Sequence, residues 1–313
     1  MFAGAMLVAM GIEALVGWPD ALHRRIGHPV TWAGRLITLA DQQFNRDSDA
    51  EITRRLRGLG VALGIAGLTY GAADLAAQLV PQGWPQTLLT GILAWPLVAS
   101  RALNDHVARV AEPLAQGDLA AARQAVAMIV GRDPETLDAA GVARASLESL
   151  AESTCDGVVA PIFWGVIFGL PGIAAYKAIN TMDSMIGHLT PRHAAFGWAA
   201  ARIDDVVNLI PARASGLLYV LVAGRGGWRA FGVMWADAGH HRSPNAGWPE
   251  AALAGALNIR LSGPRVYDGA VTPEPWVNAS APDPEPEDLF RGLALYRQAV
   301  VALAAALALL VLL

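Results

Sequence analysis

Six apolar segments, separated by polar stretches, dominate this sequence and limit the folds it can adopt. They cover residues 2–18, 58–80, 87–100, 157–179, 206–224 and 293–313. A transmembrane helix needs about 20 apolar residues, and a backbone inside lipid must satisfy its own hydrogen bonds. Charged residues make up only 16% of the chain, against about 25% in soluble domains. We therefore predict an all-α, polytopic integral membrane protein with a single membrane-embedded domain, 1–313, that includes a soluble segment, 225–288.

Arginine placement predicts how such a chain is oriented. The stretch 19–57 is rich in arginine, whereas the connection 81–86 carries no charge. Arginine-rich loops usually stay in the cytoplasm, so 19–57 and 101–156 are expected on that side. Residues 2–18 lack a preceding basic region, which favours a retained span over a cleaved signal peptide. The expected location is the cell (inner) membrane, with several passes through the lipid bilayer.

Two of the apolar segments contain helix-breaking or polar residues. Pro161 and Pro171-Gly172 interrupt 157–179, and Asn208 and Arg213 interrupt 206–224. Irregular backbone at membrane depth is tolerated only where it is buried in protein or lines a cavity. We therefore predict broken or re-entrant helices around a cavity on the cytoplasmic side, with an active site that faces the cytoplasm.

Several common site classes are excluded by the composition and motifs. The net charge is −4 and Cys155 is the only cysteine, so we expect no nucleic-acid partner, no disulfide framework and no Cys-based zinc site. A Walker phosphate loop and a dinucleotide-binding glycine fingerprint are also missing from the sequence.

The first acidic motif precedes the apolar segment 157–179. Glu148, Glu152 and Asp156 are spaced i, i+4, i+8, which places them on one face of a helix, where like charges repel. A divalent cation or a shared proton would offset that repulsion. The alternative is a solvated acidic face with Arg144 as its partner.

A second motif surrounds Lys177, the only lysine of the chain. Lys177, Asn180 and Asp183 recur at intervals of three and share a helical face. This combination suits a phosphate and its counter-ion. The alternative is a lysine that extends from the membrane boundary toward water.

A third motif has the pattern R-x-D-D-x-x-N. It contains Arg202, Asp204, Asp205 and Asn208, and its hard oxygen ligands suit Mg²⁺ that bridges to phosphate oxygens. Alternatively, the two aspartates open a helix and interact favourably with its dipole.

A fourth motif, DAGHHRSPNAGWPEAA, combines turn chemistry with cationic and amide side chains. We predict that it contacts an anionic or amide-bearing substrate. The candidate binding residues are His240, His241, Arg242, Ser243 and Asn245. His28, which precedes Pro29 in the first polar stretch, is a weaker candidate, because His-Pro is by default a turn.

Along essentially its whole length the chain resembles the CbiB/CobD family, adenosylcobinamide-phosphate synthase. The strings that carry the resemblance are HPVTWAGRLI, GRDPETLD, ESLAESTCDGVVAPIFW, YKAINTMDSMIG, FGWAAARIDDVVNLIPAR and HRSPNAGWPEAALAGAL. They are long, rare and in the order of the family.

The resemblance implies a ligase of cobalamin (vitamin B12) biosynthesis. Such enzymes join adenosylcobyric acid to (R)-1-aminopropan-2-ol O-phosphate, or a related form, through an amide, and they consume ATP with Mg²⁺. The expected partners are therefore these three substrates, with Mg²⁺ as cofactor.

On this basis each motif receives an expected role. The expected Mg²⁺ ligands are Glu148, Glu152, Asp156, Asp183, Asp204, Asp205 and Asn208. The expected phosphate-binding residues are Lys177, Arg202 and Arg213, with Asn180 close by. The expected catalytic residues are Glu148, Glu152, Asp156, Lys177 and Asp183, with Glu152 as the base that takes the proton of the amine.

Two alternatives remain open at this point, as does the oligomeric state. A Mg²⁺-dependent membrane transferase that acts on a diphosphate substrate would use the same D-D-x-x-N pattern. A membrane protein with a regulatory rather than an enzymatic role would also show the apolar segments.

Overall fold

The computed structural model describes residues 2–130, 134–267 and 270–313. It is mostly helical, with 77% of the chain in helices, which confirms the predicted helical class. The first three residues of the GRDPETLD string, 131–133, lie outside the described residues.

Helices follow one another along nearly the whole chain. In chain order they are α1 (Ala3–Val16), α2 (Asp20–Ile26), α3 (Pro29–Phe44), α4 (Glu51–Gln78), α5 (Trp84–Ala94), α6 (Ser100–Ala115), α7 (Leu119–Val126), α8 (Ala139–Thr154), α9 (Ala160–Ile186), α10 (Trp198–Val207), α11 (Leu209–Val222), α12 (Gly227–Asp237), α13 (Gly247–Leu257) and α14 (Pro286–Leu312). A π-helical turn, Cys155–Val159, connects α8 to α9. Short 3₁₀ turns cover Trp95–Leu97, Pro134–Thr136, Gly224–Gly226 and Ala238–His240.

Four short strands lie between α13 and α14. They are β1 (Leu261–Ser262), β2 (Arg265–Tyr267), β3 (Ala270–Thr272) and β4 (Trp276–Val277). β1 pairs antiparallel with β4, and β2 pairs antiparallel with β3. The expectation of an all-helical chain does not include these strands, which are too short to show a two-residue hydrophobic period in sequence.

Three helical stretches within the described part of the chain are long and apolar enough to cross a membrane. They are Glu51–Gln78, Ala139–Ile186 and Pro286–Leu312. Two bent pairs, Ala3–Val16 with Asp20–Phe44 and Trp198–Val207 with Leu209–Val222, also pass when each pair is taken together. The chain is therefore compatible with a membrane protein, while its insertion and orientation remain predictions from the sequence.

The predicted break in the segment 157–179 is confirmed. Gly169 has φ 66° and ψ −149° inside α9, a combination that a residue with a side chain adopts only with strain. Pro171 follows two residues later and cannot donate a backbone hydrogen bond. The interruption thus comes from Gly169 and Pro171 together, whereas Pro161 lies at the start of α9, directly after the π-helical turn Cys155–Val159.

The chain divides into two compact units. Unit 1 comprises 1–99, 160–208 and 307–313, and unit 2 comprises 100–159 and 209–306. Each unit is described by itself below.

The core of unit 1 is built from one face each of α3, α4, α9 and α10. Ile37, Ile65, Met182 and Phe196 belong to this buried cluster together with small alanines. Small residues let helices approach closely. Gly58 of α4 shows such a close approach, because a Cβ placed there would overlap the carbonyl oxygen of Phe196.

Unit 2 contains an arginine–aromatic cluster beside β4. The guanidinium carbons of Arg144 and Arg260 lie 4.7 and 4.2 Å from the ring centroid of Trp276. Arg260 donates to Asp283 through Nε at 2.9 Å and Nη2 at 2.5 Å, and Arg144 also donates to Asp283. A single carboxylate thus stabilises two cations that contact the same indole.

Gly58→Ala is expected to destabilise unit 1. The added methyl group must move α4 away from the backbone at Phe196, and overpacking of this kind costs about 1–3 kcal/mol. The matched control is Gly60→Ala on the same helix, where an added Cβ would meet no atom within 4 Å. Thermal unfolding in detergent should show a lower midpoint for Gly58→Ala only; equal midpoints would contradict the close approach.

Asp283 is expected to make stability depend on acidic pH. The hydrogen bond from Arg260 lowers the pKa of Asp283 below its usual 3.8. Its ionised form therefore contributes stability above the unfolded pKa, and that contribution is lost as pH falls through the lower folded pKa. The thermal midpoint of Asp283→Asn should lie below wild type at about pH 7, and the gap should narrow as the pH falls through the lowered folded pKa. A gap that stays constant with pH would refute this role.

Candidate functional site

The first acidic motif begins on α8 in unit 2. Asp138 caps this helix by accepting a hydrogen bond from the Gly141 amide at 2.7 Å. Glu148 is only 7% exposed, and its Oε1 accepts a hydrogen bond from the backbone amide of Ser262 at 2.9 Å. Glu152 is exposed. The first two carboxylates of the motif therefore occupy different environments, and Glu148 fixes the position of β1.

The third carboxylate, Asp156, lies in the π-helical turn. A π-turn inserts one extra residue into a helix and occurs frequently at functional sites. The last residue of α8, Thr154, shares a 2.7 Å hydrogen bond with the hydroxyl of Tyr219, and both side chains are buried. Asp156 itself is half-buried. The spacing of the motif does not predict this turn. The turn changes the direction of Asp156 relative to the helix face that it would share with Glu148 and Glu152 in a regular α-helix.

Arg213 and Asn245 come together in unit 2, a contact that the sequence patterns do not predict. Arg213 donates from Nη1 to Asn245 Oδ1 at 3.1 Å. Its guanidinium carbon also lies 4.5 Å from the ring centroid of Trp248. Trp248 therefore contributes to the motif, although it is not among the binding residues predicted from the sequence.

His241 is oriented by the turn that it begins. The Ser243 amide donates to His241 Nδ1 at 3.0 Å, so the proton of the neutral ring is on Nε2. That nitrogen lies 3.7 Å from Glu250 Oε2. Glu250 is 3% exposed and is a functional candidate that the sequence does not reveal, because a turn separates the two residues and no helical period relates them.

The other three candidates of the fourth motif contact groups other than Arg213 and Glu250. They are Ser243, His240 and Arg242. The Ser243 hydroxyl accepts hydrogen bonds from the Asn245 and Ala246 amides at 3.2 and 3.3 Å, so it stabilises the turn. His240 Nδ1 lies 4.0 Å from Asp237 Oδ1. Arg242 pairs with Glu274 at 2.7 Å.

In unit 1, Asp204 and Asn208 form a buried polar cluster with Tyr176. Asn208 donates from Nδ2 to Asp204 Oδ2 at 3.0 Å, and Tyr176 donates its hydroxyl proton to Asn208 Oδ1 at 3.0 Å. The i, i+4 spacing of Asp204 and Asn208 at the end of α10 thus brings their side chains together. Tyr176 from α9 completes the cluster, and no pattern in the sequence pairs it with α10.

Two of the remaining charged candidates of unit 1, Arg202 and Lys177, have local partners on their own helices. Arg202 Nη1 lies 2.9 Å from Asp205 Oδ2. Lys177 donates from Nζ to Asn180 Oδ1 at 3.4 Å. Asp183 is half-buried one turn further along α9.

His28 has a structural role at the start of α3. Its Nδ1 accepts a hydrogen bond from the Val30 amide at 3.2 Å, and its ring makes an edge contact with Trp18 at 4.9 Å between centroids. These contacts agree with the turn alternative for His28-Pro29, and a substrate contact stays a prediction.

The donor chemistry of the Asp204 cluster suits Mg²⁺. Within the described parts of the chain, no three His, Cys, Asp or Glu side chains are grouped closely enough to hold one metal ion. Mg²⁺ is usually held by one or two carboxylates together with substrate phosphates and water. Asp204 and its neighbour Asp205 are carboxylates of the kind that Mg²⁺ prefers, and a Mg²⁺ site at this pair stays a prediction.

These features define a class of protein: a mostly helical chain with candidate membrane spans and buried carboxylates that have amide, hydroxyl and cationic partners. A family model described as "CobD/Cbib protein" matches residues 6–296. The chain belongs to the CobD/CbiB family, which confirms the resemblance stated from its motifs.

Curated relatives are similar over nearly the full chain. Cobalamin biosynthesis protein CobD from Rhodobacter capsulatus is 61% identical over 303 residues, covering 96% of this chain and 95% of that protein. Proteins of the same name from a Sinorhizobium species and from Brucella suis are 45% and 42% identical, covering 96% and 92% of this chain and 95% and 90% of their own. No solved structure gives a significant match.

Glu148 can be tested for two separable roles. Glu148→Gln keeps an oxygen acceptor for the Ser262 amide and should unfold like wild type. Glu148→Ala leaves that amide without its acceptor and should lose about 1–3 kcal/mol. The measurement is thermal unfolding of both variants, and equal destabilisation would contradict the acceptor role. A loss of turnover in Glu148→Gln at unchanged stability would indicate an additional role of the negative charge.

Proposed function

We propose that this protein is a ligase of cobalamin biosynthesis that forms an amide bond at the expense of ATP. The substrates are adenosylcobyric acid and (R)-1-aminopropan-2-ol O-phosphate, and the product is adenosylcobinamide phosphate. The observation that carries the proposal is the family match over residues 6–296, together with relatives named for cobalamin biosynthesis.

The chemistry of an amide ligase makes definite demands on a site. A carboxylate oxygen of the corrinoid attacks the γ-phosphorus of ATP, so that ADP leaves and an acyl phosphate forms. The amine then attacks the acyl carbon, phosphate leaves with the former carboxylate oxygen, and a base takes the proton of the amine. Such a site must stabilise several neighbouring anions and must provide a base with access to solvent.

Unit 1 offers groups for the phosphate chemistry. Asp204 and Asp205 would hold Mg²⁺, which supplies charge neutralisation for transferred phosphate when it is bound. Asn208 and Tyr176 orient Asp204 through their 3.0 Å hydrogen bonds. Arg202, 60% exposed at its side chain and 2.9 Å from Asp205, is a cation that can exchange its carboxylate partner for a phosphate.

Unit 2, taken by itself, carries groups suited to a phosphate and to amide groups. Arg213 is oriented by Asn245 and by the face of Trp248, which suits bidentate recognition of a phosphate. The His241–Glu250 pair suits recognition of amide groups. Glu152 is exposed on α8 and so can pass a proton to water, whereas Glu148 already accepts a hydrogen bond from Ser262.

Removal of charge at the aspartate pair is expected to abolish most of the turnover. Asp204→Asn and Asp205→Asn keep the shape of the side chain but remove its charge, and each should lower turnover by about 10²–10³-fold at normal protein levels. The measurement is ADP release that depends on adenosylcobyric acid, together with mass-spectrometric detection of the amide product.

Asp105→Asn is the matched control, because Asp105 also pairs with an arginine on its own helix, Arg101, at 3.5 Å. It should leave turnover unchanged. Near-normal turnover in Asp204→Asn and Asp205→Asn would remove these residues from the mechanism. Turnover of a prenyl diphosphate without any release of ADP would instead favour the transferase alternative.

A further inference from the structure

A cavity of about 530 Å³ lies within unit 1, between α3, α4, α5 and α9. This volume is in the range of about 300–1,000 Å³ that accommodates a ligand. Among the residues that line it, Trp32, Leu36, Leu68 and Leu93 are 46, 40, 58 and 43% exposed. The cavity therefore opens on the side of unit 1, along helices that include the candidate span Glu51–Gln78.

Nearly all polar atoms of the lining are already bound to backbone. The Thr69 hydroxyl donates to the Ile65 and Ala66 carbonyls at 2.9 and 3.0 Å. The Thr181 hydroxyl donates to the Lys177 carbonyl at 2.6 Å, and the Trp32 indole nitrogen donates to the Ile26 carbonyl at 2.8 Å. The surface that these residues present to a ligand is therefore mainly hydrocarbon.

Lys177 is the charged residue of this lining. Its ammonium group is positioned by the 3.4 Å hydrogen bond to Asn180, and it lies within electrostatic range of His28, the capping residue directly before the lining residue Pro29. The cavity thus combines an apolar body with one cationic end, which is complementary to an amphiphile with an anionic head.

A nucleotide and a corrinoid fit this lining poorly. An adenine base and the amide groups of a corrinoid rim need hydrogen-bond donors as well as acceptors when they leave water, and the threonine and tryptophan protons of this lining are already donated to backbone carbonyls. An acyl chain needs none, and its burial against leucine and alanine is favourable.

We propose that this cavity is a binding site for an anionic phospholipid, with an acyl chain between α3, α4 and α9 and with the phosphate at Lys177. The site gives Lys177 a partner other than ATP. The proposal goes beyond amide-bond formation and does not depend on it.

The test measures lipid bound to the purified full-length chain in mild detergent by native mass spectrometry. The probes are palmitoyl-oleoyl phosphatidylglycerol and the corresponding phosphatidylcholine, without ATP or corrinoid. The wild type should retain one phosphatidylglycerol molecule in preference to phosphatidylcholine. Ala72→Trp and Ala33→Trp, which fill the cavity, should lower retention of both lipids.

Two further variants separate charge from volume. Lys177→Gln should reduce the preference for phosphatidylglycerol by about fivefold, the contribution of one cation near a phosphate surface, without loss of the acyl chain. Leu75→Trp, at a 65% exposed position of α4 outside the lining, is the control and should bind like wild type.

Three outcomes would overturn the proposal. Equal retention in all variants would indicate lipid that surrounds the protein without a specific site. Displacement of phosphatidylglycerol by free inorganic phosphate, with no effect of Ala72→Trp, would indicate a site for a free anion. Conversion of a dimer to a monomer by Ala72→Trp, with unchanged lipid binding, would indicate that a second copy covers the cavity. Because no substrate is present, none of these results bears on ligase activity.

Discussion

Buried carboxylates in a strongly apolar helical chain are the constraint on which the candidate site depends. A carboxylate that leaves water loses its hydration, and folding recovers that loss only through hydrogen bonds or opposite charge. Asp204 is 8% exposed and accepts a hydrogen bond from Asn208, whose own oxygen is bound by Tyr176. The partner groups set where the carboxylate points, and the same groups would orient it toward a cation.

Glu148 is also a buried carboxylate that needs a hydrogen bond or an opposite charge, but its role differs from that of Asp204. Its partner is the backbone amide of Ser262, which has a φ of 61°, a conformation that is unfavourable for a residue other than glycine. Here the carboxylate stabilises a strained backbone position rather than a side-chain cluster. Two acidic residues of similar burial thus have different roles, and the difference lies in the group that each one binds.

Local patterns in the sequence predicted what lies within one helix. The interruption of 157–179 was predicted from its helix-breaking residues, and Asp204 and Asn208 were grouped in one motif by their spacing. The Arg202–Asp205 pair was not predicted, because both residues were expected to bind other groups. Contacts between elements could not be predicted in this way, because Glu148 and Ser262 are 114 residues apart and the His241–Glu250 pair depends on the path of a turn. The π-turn at Cys155–Val159 has no compositional signal, since π and α geometry accept the same residues.

Lys177 shows why residue type and spacing do not by themselves assign a role. Beside Asn180 and Asp183 in the sequence it has the pattern of a phosphate-binding residue, and in the structure it keeps Asn180 as its partner. Its surroundings, however, are leucine, alanine and hydroxyl groups already bonded to backbone. A cation in such surroundings interacts strongly with an anion because few competing dipoles are present. The apolar surroundings nevertheless favour an anion that is attached to a hydrocarbon chain. The apolar wall of the cavity therefore determines which anion is selected. The periodicity of apolar residues in the sequence can indicate that this wall is buried, but it cannot show that the wall surrounds an open cavity.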